Sequence, residues 1–135
     1  ALGSTGMRKK QLNEACGSVR KFISMTDQWF VVGDFNDELY NRKRETYTEL
    51  YRILKMDLPH LTDTYDYRKD LYDQCCTWSS SNALSRGFLL ADDFRCDYIL
   101  KSNTDWCTIV DHKIVLNKNP TSDHYGILTN YLLDK

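Results

Sequence analysis

Three short clusters hold the residues that could do chemistry. Gly33-Asp34-Phe35-Asn36 follows directly on the apolar run Trp29-Phe30-Val31-Val32. A loop just after a strand is where α/β proteins tend to place reactive groups. Asp34 can hold a metal there or polarise a nucleophilic water. Asn36 offers amide donors to a phosphoryl oxygen. Both residue types are also common turn formers, so this cluster alone decides nothing. The second cluster is Arg95-Cys96-Asp97-Tyr98-Ile99-Leu100. A carboxylate inside an otherwise apolar strand is costly unless paired, and its natural partner is a histidine or a metal. The competing reading is an outward position on a half-exposed strand. The third cluster is Ser122-Asp123-His124-Tyr125-Gly126. An Asp-His pair before a terminal strand suits proton transfer or contact with an anionic phosphate, although a plain loop histidine has the same letters. His60 follows a proline at a helix end, and His112 lies in a strand without an obvious partner, so both read as structural.

The elements that must position these clusters follow from periodicity. Leu12, Ala15, Cys16, Val19 and Ile23 recur at helical spacing and predict a helix over Met7–Ser24. Trp29–Val32 reads as a buried strand ended by Gly33. Thr46–Lys55 is a second helix with Tyr47, Leu50, Tyr51 and Leu54 inward, broken at Leu58-Pro59-His60. Leu61–Tyr65 begins an extended segment, and Asp66–Asp73 reads as a loop. Cys75–Trp78, Phe94–Leu100, Cys107–Leu116 and Gly126–Leu133 read as strands. Ser79–Asn82 is a turn-type cluster and Asn117–Ser122 a loop. This order is α/β or α+β, with strands dominating the second half.

Bulk properties narrow the class. The chain has 135 residues, which suits one domain spanning 1–135, with 1–6 a vector remnant or a native loop. Net charge is -1, so no global basic field draws it to nucleic acid. The run Arg42-Lys43-Arg44 reads first as a solvated surface and second as a phosphate-facing patch. The five cysteines form no CxxC pair, which argues against a zinc knuckle and a disulfide framework. No apolar run approaches the ~20 residues of a membrane span. Reduced cysteines and no signal-like start point to an intracellular setting.

Taken together, G-D-F-N at 33–36, R-C-D-Y at 95–98 and S-D-H at 122–124 resemble the endonuclease/exonuclease/phosphatase superfamily, in that order and spacing. Arg8 and Gln11 look like the arginine and glutamine of the helix preceding G-D-F-N in that family. The resemblance implies a DNase I-like fold, a two-layered β-sandwich flanked by helices and built from two similar halves. This chain would be the second half. The expected missing partner is the N-terminal half, with an asparagine, a metal-binding glutamate and another histidine. An isolated half would expose sheet, inviting homo-association.

The resemblance also implies roles. Asp34 would orient or deprotonate the attacking water, and Asn36 would hydrogen-bond the scissile phosphate. Asp97 would hold the ring of His124, and His124 would contact the phosphate as acid–base group or transition-state stabiliser. Asp123 would help bind metal or position water. In-line attack on a phosphodiester needs an activated water and charge neutralisation on the equatorial oxygens, and an oxygen-rich site favours Mg²⁺. Asp63-Thr64-Tyr65, then Cys76-Thr77-Trp78 and Asn82, resemble neutral sphingomyelinase relatives, which release phosphocholine from a phospholipid. Trp78 could meet a choline cation by cation–π attraction, or it could pack in the core. The alternatives are a nuclease of the same superfamily and a non-catalytic scaffold that kept the motifs.

Overall fold

A computed structural model describes residues 5–24, 27–41, 44, 46–65, 76–85 and 93–134. Helix α1 covers Thr5–Val19, and α2 covers Glu49–Asp57. Strand β1 is Phe30–Asp34, and the short strands β2 (Tyr40–Asn41) and β3 (Thr46–Tyr47) follow it. The remaining strands are β4 (Leu61–Asp63), β5 (Asp97–Ser102), β6 (Cys107–Val115) and β7 (Gly126–Leu133).

The sheet that matters runs β1-β5-β4, antiparallel throughout. Alternation along its strands separates two faces. Tyr98 and Leu100 of β5, with Leu61 of β4 and Val31 of β1, turn toward the helices. There they meet Cys16 of α1 and Leu50, Tyr51 and Leu54 of α2. Leu50, Tyr51 and Leu54 of the inner face read from the sequence are buried, but the helix starts at Glu49 and not at Thr46, and Tyr47 lies in β3. Tyr47 joins that face by stacking on Tyr51, with ring centroids 4.0 Å apart. In α1 only Cys16 is buried, with Leu12 partly covered, and Ile23 packs on the core from beyond the helix end, so the apolar stripe of the helix is narrower than its spacing predicts.

The opposite face of the sheet carries the β6–β7 hairpin. Three side chains join the layers: His112 Nδ1 lies 3.0 Å from Thr64 Oγ1 and 2.8 Å from Thr129 Oγ1. The rings of Phe30 and Tyr131 meet at 5.1 Å. His112 is therefore structural, as read from the sequence, and its partners are threonines of β7 and of the chain just past β4. His60 is exposed, and its carbonyl accepts the Asn103 N–H.

Several boundaries move. The first helix ends at Val19 rather than Ser24, and β1 starts one residue late and runs to Asp34. That strand is not buried: Val32 is 64% exposed, and among the described residues β1 pairs only with β5, which leaves it at the edge of its sheet. The β2–β3 pair was missed, being two residues a side and too short for a periodicity signal. The expected strand at 94–100 begins as an isolated bridge between Phe94 and Trp78 and becomes regular only at Asp97. Residues 66–75, including the expected loop Asp66–Asp73 and Cys75, lie outside the described residues, as do Arg42 and Lys43.

Candidate active site

Asp34 is the last residue of β1 and Asp97 the first of β5, and they lie directly opposite each other in the register. Directly paired residues share a face of the sheet, so two carboxylates stand side by side. Like charges so placed destabilise a sheet unless a cation or donor offsets them. His124 supplies the donor. Its Nδ1 lies 2.8 Å from Asp97 Oδ2. An ionised carboxylate only accepts, so Nδ1 carries the proton and donates. The strand carboxylate that looked costly by sequence has the histidine partner that its burial calls for.

The loop around His124 is fixed by backbone bonds. Trp78 bridges to His124 on one side and to Phe94 on the other. The His124 N–H donates to Ser122 Oγ at 3.2 Å, and the buried Asn82 side chain donates to the Ser122 carbonyl at 2.9 Å. Burial alone would lower the imidazole pKa. The hydrogen bond and charge of Asp97, with the charges of Asp34 and Asp123, outweigh it and hold His124 above its ordinary value.

The loop after β1 is equally specific. The Asn36 N–H donates to Asp34 Oδ1 at 2.7 Å, an Asx turn, and Asn36 itself sits at φ 51°. Asn is among the few residues that adopt this left-handed conformation readily. Asn36 is thereby exposed in a cleft of about 300 Å³ that Asp34, Phe35, Arg8 and Gln11 also line. Arg8 reaches from α1 to pair with Asp37 at 3.1 Å, tying the helix to this loop.

Of the expected site residues, the structure brings Asp34, Asp97 and His124 together, with one ligand-capable atom from each within 4.8 Å of the others. Asn36 follows Asp34 at the cleft. Asp123 is exposed beside the group, and its carboxylate accepts the Ser122 hydroxyl at 3.2 Å. It is not part of the candidate cation-binding group found among the described residues. Trp78 is only 8% exposed, with its ring 5.9 Å from that of Phe94, so its burial supports the packing role.

The donor set suits a hard cation. One Asp97 oxygen and His124 Nδ1 already bond each other, which leaves mainly carboxylate oxygens of Asp34 and Asp97. Mg²⁺ is typically held by one or two carboxylates, with water and substrate oxygens completing its shell. Zn²⁺ would ask for more nitrogen or sulfur. Cys96, next to Asp97, is not part of the candidate cation-binding group found among the described residues; burial, then the charges of Asp34, Asp97, Glu38 and Asp37, push its thiol up to about 12.

Sequence reasoning missed two supports. Arg95 and Asp63 form a bidentate pair at 2.7 and 2.9 Å, and their side chains are 0% and 2% exposed. The guanidinium lies 4.2 Å from the Tyr98 ring centroid and 5.0 Å from that of Tyr65. Thr77 contacts the backbone of Asp97. Each letter was visible, but a pairing across 32 residues leaves no local signal.

Comparison with known proteins bears on the fold. The chain is similar to an endonuclease/exonuclease/phosphatase from Beutenbergia cavernae DSM 12333, with TM-score 0.60 and 20% identity over 92% of this chain. It is also similar to an endonuclease/exonuclease/phosphatase family protein from Leptotrichia buccalis C-1013-b, with TM-score 0.59 and 18% identity over 91% of the chain. The chain spans 31% and 41% of those two proteins' lengths. No family model and no curated protein matches the sequence. The chain thus has a mixed helix and antiparallel-strand fold. That fold is the one of endonuclease/exonuclease/phosphatase proteins, as the three motifs led us to expect.

Proposed function

We propose that this chain supplies the Asp–His portion of the active site of a divalent-metal-dependent phosphodiester hydrolase. The observation that carries the reading is the 2.8 Å bond between His124 Nδ1 and Asp97 Oδ2, with Asp34 alongside. The fold alone would not assign an activity, since many functions share it.

The chain's own residues divide the work. Asp97 fixes the imidazole so that Nε2 is presented to the substrate, and its charge favours the imidazolium. When its ring is protonated, a state that the raised pKa favours, His124 is a proton donor and cationic contact for a phosphoryl oxygen. Asp34 accepts the proton of, or orients, a water beside phosphorus. Asn36, held in its left-handed turn, presents its amide to a nonbridging oxygen. A bound Mg²⁺, held by Asp34 and Asp97 with Asp123 near the rim, would neutralise charge on the phosphoryl group. The further catalytic groups expected of such an enzyme would come from the N-terminal half of the sandwich.

Within that class the preferred substrate is a choline phospholipid, on the resemblance of Asp63-Thr64-Tyr65, Cys76-Thr77-Trp78 and Asn82. The burial of Trp78 argues against a choline contact by that ring unless the side chain moves. The nuclease alternative draws on the descriptions of the two similar structures and requires a local basic surface, because net charge is -1. An intracellular setting draws on the free thiols of Cys16, Cys96 and Cys107. Among the described residues no helix is long and apolar enough to cross a membrane.

The test is Mg²⁺-dependent hydrolysis of a chromogenic phosphodiester, by the chain alone and with the restored upstream half, each beside His124→Ala. Turnover that needs both Mg²⁺ and His124 supports the proposal. A complete protein that binds a partner equally with and without metal, and turns nothing over, would instead be a scaffold. Sphingomyelin in mixed micelles against supercoiled DNA then separates the two substrate readings.

A further inference from the structure

We propose that Thr77 is the positioning residue that sets the Asp97–His124 couple, an inference that rests on the catalytic reading of that couple. The need for such a residue comes from the sheet. Strand β4 ends at Asp63, opposite Leu100, and the last reach of that side is the Thr64 N–H to the Ile99 carbonyl at 3.2 Å. Toward Asp97, β5 runs on without a strand on its β4 side among the described residues. Its backbone donors there need another acceptor.

Thr77 provides it. Its hydroxyl oxygen accepts the Cys96 N–H at 3.0 Å and the Asp97 N–H at 3.1 Å. A hydroxyl has two acceptor lone pairs, and both are used on the residue that carries the carboxylate and its neighbour. The same residue grips the other partner. Its carbonyl accepts the Tyr125 N–H at 2.6 Å, one residue past His124, and its own N–H donates to the Phe94 carbonyl at 2.9 Å. Thr77 is 0% exposed, and a β-branched side chain so enclosed has a fixed χ1. One residue thus holds the backbone of Asp97 through its side chain and the backbone beside His124 through its main chain. The distance between the carboxylate and the imidazole is set by these bonds and not by the two side chains alone.

The variants separate shape from hydrogen bonding. Thr77→Val keeps the shape and removes the acceptor; Thr77→Ser keeps the acceptor. The readout is the ¹⁵N shifts of the two His124 ring nitrogens in the neutral imidazole, recorded on the metal-free chain. Bonding to Asp97 fixes the proton on Nδ1, so the wild type should show one tautomer. Thr77→Val should lose that preference and Thr77→Ser should retain it, with Asp97→Asn marking complete loss. A Thr77→Val chain that keeps the wild-type tautomer, while Asp97→Asn loses it, overturns the positioning role alone. If Asp97→Asn also keeps it, the couple does not form in solution, and the proposed function fails with the inference. Should Thr77→Val not fold, amide hydrogen exchange decides the point in the wild type and Thr77→Ser. Slow exchange at both Cys96 and Asp97 supports the inference, and exchange as fast as in exposed loops overturns it.

Discussion

In the proposed mechanism, His124 is the residue on which most of the chemistry turns. General acid–base groups contribute roughly 10²–10⁴-fold to rate, so His124→Ala in the complete protein should lower kcat by about that factor. Steady-state kinetics on a phosphodiester substrate checks it. The same side chain links folding to pH. Its folded-state pKa is raised, so its contribution to stability is fully present below the ordinary imidazole value. That contribution is lost as pH rises through the raised value. The chain should therefore lose stability across this window in denaturant titrations at successive pH values. In Asp97→Asn that loss should shrink, because the Asp97 hydrogen bond and charge are the largest of the effects that raise the pKa. An unchanged slope in Asp97→Asn would mean that the pair is not formed in solution.

At the scale of elements, the start of β5 is pinned from beneath as well as from the side. Arg95 is buried between Tyr65 and Tyr98 and bonded twice to Asp63 of β4. The Tyr98 hydroxyl donates to the Arg95 carbonyl at 2.9 Å and accepts the Leu39 N–H at 2.8 Å. This knot joins β4, β5 and the loop after β1 directly under Asp97. Removing one partner of a buried pair leaves an uncompensated charge and costs about 3–5 kcal/mol. Asp63→Asn should therefore destabilise the chain by a few kcal/mol, measured by urea unfolding. The double replacement Asp63→Leu with Arg95→Met should cost less than either single change, since no charge is stranded. A double variant as unstable as the sum of the singles would contradict this account.

At the scale of the molecule, apolar surface is left open along one side. Val32 on the edge strand β1 is 64% exposed, and Tyr131, Leu132 and Leu133 at the end of β7 are 45%, 59% and 55% exposed. An open sheet edge with apolar side chains invites pairing. We expect the chain to associate as concentration rises, and Val32→Lys to suppress it, because a lysine on an edge strand blocks edge-to-edge contact. Sedimentation velocity over a range of concentrations is the measurement. A monomer at all concentrations would show that this surface does not drive association. Addition of the upstream half of the sandwich should compete with self-association if the two cover the same surface.

The sequence by itself determined the chemistry-bearing letters and their order. Asp34 and Asn36 after an apolar run, Asp97 inside a strand and His124 before the last strand were legible because each sits in a local pattern of a few residues. The inner face of α2 was legible for the same reason, since helical spacing is a short-range property. Tertiary structure decided what no local pattern encodes. It placed Asp97 opposite Asp34, because antiparallel register joins residues 63 positions apart. Among the described residues it left β1 an edge strand with Val32 exposed, because burial depends on what packs over a strand and not on its apolar composition. It buried Trp78 and put the two lone pairs of Thr77 on the start of β5, past the residues that pair with β4 among those described. Backbone donors must be satisfied wherever the sheet leaves them, and only the assembled sheet determines where that is.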